Sequence, residues 1–170
     1  MARTKLIPDR VVFQQVLSLL LKNGEKAVTF ATVSAATGLA PTTLVQRFGS
    51  CNEMILGAIA QSWDELDGLV EASNLDSAMI SKGLPGLLKS LVGTVDPGAL
   101  LTLSLRDPIF VARAKSWRQK VEQAIAARLD VNAKAKETAA LIFSAWQGRM
   151  LWDAGGGKGF RLGDAIKRLG

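Results

Sequence analysis

Thr42, Thr43, Gln46 and Arg47 place four hydrogen-bonding side chains within the segment Pro41–Phe48. An amide and a guanidinium match the donor and acceptor pattern of base edges, and hydroxyls hold phosphates. Leu44, Val45 and Phe48 give the same segment an apolar side. A short helix that served only as packing would more often turn Glu, Lys and Ala outward. The chemistry these residues suit is therefore non-covalent reading of a nucleic acid.

The elements around the segment are the ones such a task requires. Thr29 is placed to cap a helix, its hydroxyl accepting a backbone N–H left unpaired at the helix start. Phe30, Val33 and Ala36 follow at spacings of three, predicting one apolar face. Thr37-Gly38-Leu39 predicts the end of that helix, with Gly38 in a left-handed turn and Leu39 as a plug between helices. Pro41 suits the first turn of the next helix, and Gly49 breaks it. Ser50-Cys51-Asn52-Glu53 fits a capping box ahead of Met54-Ile55-Leu56. Helix, Gly-containing turn, short helix and capped third helix together predict a helix-turn-helix that lays one helix in the DNA major groove. Short amphipathic helices joined by Gly turns occur in any helical domain; the polar side of Pro41–Phe48 is what favours DNA.

Composition narrows the alternatives. The 170 residues contain no His and no Tyr, and Cys51 is the only cysteine. The commonest general base, any Ser-His or Cys-His nucleophile, an intrachain disulfide and a Cys-based zinc site are thereby missing. No paired carboxylates stand out, so the sequence predicts no enzyme, no metal and no cofactor. Hydrophobic residues make up 48% and charged residues 21%, Pro is scarce, and β-branched alternation is slight. An all-α, soluble fold follows. The net charge of +6 is uneven. Residues 1–60 hold six Lys/Arg against three Asp/Glu, residues 61–105 two against six, and residues 106–170 thirteen against six. The basic N-terminal region fits a nucleic-acid partner. The larger C-terminal excess, around Arg113, Lys115, Arg118 and Lys120, reads as a solvated helix face, with contact to a second anionic surface as the alternative.

Along the rest of the chain, Val11–Leu21 follows three cations and superficially resembles a secretory signal. Gln14, Gln15 and Ser18 interrupt it, while Phe13, Val16, Leu17 and Leu20 keep helical spacing, so it predicts a first amphipathic helix from about Asp9 to Lys22. A fourth helix is predicted over 50–72, inner face Met54, Ile55, Ile59, Trp63, Leu66 and Val70, with a break at Ser73-Asn74. Further helices are predicted at 76–92 (interrupted at Gly83-Leu84-Pro85-Gly86), 98–105, 107–129, 133–154 and 161–169, about nine in all. Gly155–Gly159 lacks the strand and the GxxxxGK[ST] pattern of a phosphate loop and reads as a connector. No segment reaches the roughly 20 apolar residues of a membrane span.

Val33-Ser34-Ala35-Ala36-Thr37-Gly38-Leu39-Ala40, then Thr43-Leu44-Val45-Gln46-Arg47-Phe48, then Ser50-Cys51-Asn52-Glu53-Met54 resemble the DNA-binding domain of TetR-family transcriptional regulators. The resemblance covers residues 10–60; beyond them it rests on helix count and length. The family carries Tyr where Val45 stands and often Lys where Cys51 stands, both for phosphate, and Ser or Thr where Ala40 stands. Arg47, Arg3 and Lys5 are the cations available to compensate.

The resemblance implies a cytoplasmic, nucleoid-associated bacterial homodimer that binds a palindromic operator on double-stranded DNA, with residues 1–49 as the DNA-binding domain. Arg3, Lys5, Thr29, Thr42, Thr43, Gln46 and Arg47 would form the DNA-facing set. Residues 50–170 would bind a small effector, whose entry releases the operator, and would form the dimer. Trp63, Met79, Leu87, Phe110, Trp117, Phe143 and Trp146 are the large apolar candidates for the pocket. With no His or Tyr to hand, the effector is expected to be mostly apolar. Ala139, Ile142, Phe143, Trp146 and Met150, with Ile166 on the last helix, are the candidates for the dimer contact, shared with the subunit's own core. The alternative is a helical small-molecule- or protein-binding dimer that has lost specific DNA binding.

Overall fold

A computed structural model describes residues 7–76, 83–93, 95–129, 134–153, 155–156 and 164. Among them the chain is all-helical, with eight α-helices, one 3₁₀ turn and no strand. It divides into two compact units, Met1–Ser62 and Trp63–Gly170. No helix among the described residues is long and apolar enough to cross a membrane.

In the first unit, α1 (Asp9–Asn23) buries Val12, Val16, Leu17 and Leu20, the i, i+4, i+5, i+8 stripe of an amphipathic helix. A 3₁₀ turn, Glu25–Ala27, leads into α2 (Phe30–Thr37) and α3 (Pro41–Phe48). Phe13 of α1 packs on Phe48 of α3, ring centroids 5.3 Å apart. Gly57 lets this happen: a Cβ there would stand 2.6 Å from Phe13 Cζ, so only a residue without one fits beneath the ring.

Helix α4 (Cys51–Leu75) begins where Ser50 Oγ accepts the Glu53 N–H at 3.1 Å. All six predicted inner-face residues, Met54 through Val70, are buried. The helix does not break at Ser73-Asn74. Ser73 is buried and its hydroxyl donates to the Leu69 carbonyl at 2.7 Å. The Arg128 guanidinium supplies the donors that the last turn lacks, reaching the Ser73 carbonyl at 2.8 Å and Asn74 Oδ1 at 3.2 Å. Burial pushes the Arg128 guanidinium below its ordinary pKa.

The second unit continues with α5 (Gly83–Ser90), α6 (Pro97–Ser104), α7 (Pro108–Ala126) and α8 (Ala135–Asp153). Gly83-Leu84-Pro85-Gly86 forms the first turn of α5, where Pro85 needs no intrahelical N–H; residues 77–82 of the predicted 76–92 segment lie outside the described residues. Asp96 Oδ1 accepts the Gly98 N–H at 2.6 Å and Asp107 Oδ1 accepts the Ile109 N–H at 2.8 Å, capping α6 and α7. Of the predicted helix at 161–169, only Asp164 is among the described residues, and it is helical.

The core of this unit is aromatic. Trp117 lies 5.9 Å from Trp63, 5.9 Å from Phe143 and 6.4 Å from Trp146, in tilted and edge-on arrangements. Neither of the two central indoles is left with an orphan N–H. Trp63 Nε1 donates to Ser104 Oγ at 3.0 Å, and Trp117 Nε1 donates to the Leu66 carbonyl at 3.2 Å. Ser104 in turn donates to the Leu100 carbonyl at 2.7 Å, so the buried hydroxyl is satisfied in both roles.

Candidate nucleic-acid interface and ligand cavity

The turn between α2 and α3 is built by local hydrogen bonds. Thr29 Oγ1 accepts the Thr32 N–H at 3.1 Å and Thr32 Oγ1 accepts the Thr29 N–H at 3.0 Å, a reciprocal cap closed by two threonines. Thr32 Oγ1 also donates to the Ala27 carbonyl at 2.7 Å, anchoring the cap to the preceding 3₁₀ turn. Thr29 is thus engaged in starting α2. Gly38, at φ +75°, ends α2 in the left-handed conformation, its N–H returning to the Ser34 carbonyl at 2.8 Å. The Thr37 hydroxyl donates to the Val33 carbonyl at 2.7 Å and accepts the Leu39 N–H at 3.3 Å, stiffening the turn.

Val33 and Leu44 are the residues that α2 and α3 bury completely. Ala36 and Val45, expected on the apolar faces, are exposed; a helix of two turns buries only a narrow stripe, and these two sit at its margin. The outward side of α3 therefore presents Thr42, Val45 and Gln46, with Thr43 half-buried beside them. Val45 is 45% exposed, an apolar patch between two hydrogen-bonding groups.

Arg47 is placed differently. Its guanidinium pairs with Asp9, donates to the Ile7 carbonyl at 2.9 Å, and lies 5.4 Å above the Phe48 ring. It ties α3 to the start of α1 rather than extending alongside Gln46. The pair is solvent-screened, so it contributes at most about 1 kcal/mol. Arg3 and Lys5 lie outside the described residues.

A cavity of about 520 Å³ opens in the second unit. Trp63, Trp117 and Phe143, three of the predicted pocket residues, line it; Leu87, Phe110 and Trp146 are buried in the core but do not. Met79 lies outside the described residues. Further apolar wall comes from Leu101 of α6, Val111 and Ala114 of α7, and Leu151 of α8. The polar lining is Thr102, Lys115, Arg118 and Gln147; among the described residues no Asp or Glu lines it. Arg118 lies 5.5 Å from the Phe143 ring centroid and donates from Nε to Glu122 at 2.7 Å. Gln147 Nε2 is buried with no hydrogen-bond partner among the described residues. The sequence reading missed the cationic side because α7 spacing marks Lys115 and Arg118 as outward without revealing what α6 and α8 set beside them.

A second cleft, of about 490 Å³, lies between α4 and α7. Its charges are matched internally: Lys120 pairs with Asp67 at 2.7 Å, and Arg128 caps α4.

The predicted dimer stripe, Ala139, Ile142, Phe143 and Trp146, is buried within the subunit, while Met150 is half-buried and Ile166 lies outside the described residues. The apolar residues that α8 leaves exposed are Leu141 (57%), Leu151 (67%) and Trp152 (65%).

Neither a protein-family model nor a curated protein matches this chain. The likeness to TetR-family regulators rests on the residues of the α2–α3 segment and its flanks.

Proposed function

We propose that the protein is a TetR-like transcriptional regulator, a repressor that binds a palindromic operator as a homodimer in the bacterial cytoplasm and lets go when a small, largely apolar effector enters its C-terminal unit. The observation that carries this reading is the outward side of α3: Thr42, Val45 and Gln46 are presented together on a two-turn helix held by the Gly38 turn. Thr and Gln supply hydrogen bonds to base edges or phosphates, and Val45 supplies the apolar surface that suits a thymine methyl. The α2–turn–α3 unit is the helix-turn-helix of this proposal. In the dimer, two such helices enter successive major grooves about 34 Å apart. The effector site is the cavity walled by Trp63, Trp117 and Phe143. Helix α4 runs unbroken from the first unit into the second, and is the element through which occupancy would alter the spacing of the recognition helices.

Selection of bound sequences from a random DNA pool tests the proposal. Enrichment of an inverted repeat supports it; no enrichment at low salt rejects it. One observation favours a second reading, a helical ligand-binding dimer without specific DNA recognition: Arg47 is occupied by Asp9 and Ile7, and Val45 offers no phosphate contact. The same selection separates the two.

A further inference from the structure

We infer that the cavity of the second unit takes an amphipathic organic anion, an aromatic or similarly flat apolar body carrying one carboxylate-type head. The inference deepens the effector half of the proposed function and rests on that reading only for its regulatory consequence.

Three observations converge on it. The inner wall is aromatic, with Trp63, Trp117 and Phe143 offering faces and edges to a ring. The charge of the lining is one-sided: Lys115 and Arg118 contribute two cations, and among the described residues no acid lines the space. They stand three residues apart on α7, hence on one side of it. No described carboxylate pairs with Lys115, and Arg118 engages Glu122 through Nε alone, leaving its terminal nitrogens to donate elsewhere. Third, Nε2 of the half-buried Gln147 is itself buried and has no acceptor among the described residues. A buried donor without an acceptor is costly, and a ligand oxygen removes that cost. An apolar body alone would leave the Gln147 donor, the Lys115 ammonium and the terminal nitrogens of Arg118 unused; a cation would be repelled.

Calorimetric titration of the intact protein with three probes of matched body tests this: naphthylacetate, its neutral amide naphthylacetamide, and naphthylethylamine. The acid is expected to bind about tenfold more tightly than the amide, the return for charge-assisted hydrogen bonds, with the amine weakest. The double variant Lys115→Gln/Arg118→Gln is expected to abolish the preference of the acid over the amide. Both residues are solvent-exposed, and a far-UV spectrum checks that the variant folds. Equal binding of acid and amide, tighter binding of the amine, or no binding of any probe overturns the inference. The DNA selection is independent: acid binding without enriched DNA keeps this inference and ends the regulator reading, and the converse ends this inference alone.

Discussion

Arg47 of α3 is joined to Asp9, the first residue of α1, and the same guanidinium donates to the Ile7 carbonyl. The contact spans 38 residues of chain and braces the proposed reading helix against the helix that backs it. Gln46, one position earlier, is exposed and has no such tie. The two residues should therefore respond differently to substitution. Gln46→Ala is expected to lower operator affinity by about 1–3 kcal/mol with unchanged stability. Arg47→Ala is expected to lower affinity and also to cost up to about 1 kcal/mol of stability through the lost brace. Gel-shift titration and urea unfolding check both; operator binding unchanged in both variants would remove α3 as the reading helix.

Gly38 sits at φ +75° with open space where a Cβ would project. Gly38→Ala meets no clash, so its cost is backbone strain alone, about 1–2 kcal/mol. Gly38→Asn is expected to cost less, since Asn tolerates the left-handed region. Chemical denaturation of the two variants gives the order; equal losses would mean that the turn relaxes out of this conformation.

Gly57→Ala drives a methyl into the Phe13 ring, whose Cζ and Cε1 lie 2.6 and 2.8 Å from the new atom. Phe13 must then leave its place against Phe48, and a loss of about 1–3 kcal/mol is expected from overpacking. Phe13→Leu in the same chain should recover part of that loss, giving a coupling energy in a double-mutant cycle. Strictly additive losses would show that the ring has room to move.

The exposed apolar residues of α8 bear on assembly. If the homodimer forms there, Leu141→Glu and Trp152→Glu each place an uncompensated charge in the contact. Sedimentation should then show monomer for either variant at a concentration where the parent is dimeric. A dimer that survives both substitutions lies elsewhere on the surface.

Much of the fold was legible because it is periodic. The inner face of α4 follows from i, i+3 and i+4 spacing, and the caps at Thr29 and Ser50 lie where residue type alone places them. Two features were not legible. The end of α4 is set by Arg128, more than fifty residues away in sequence, which supplies donors no local pattern records. The role of Arg47 is likewise non-local: helical spacing puts it on the polar side of α3, but only the fold brings Asp9 and Ile7 within its reach. The cavity falls between these cases. Its aromatic wall is visible as bulky residues, whereas its cations read as ordinary surface until α6 and α8 are set beside them.

The two compact units meet within α4, between Ser62 and Trp63, both buried in the middle of a 25-residue helix. Most domain junctions are exposed linkers where a protease finds extended backbone. Here the junction's peptide bonds are held in the helical hydrogen-bond ladder, and exposing them means melting turns that belong to both cores. A protease that cuts at this boundary must therefore wait for α4 itself to open.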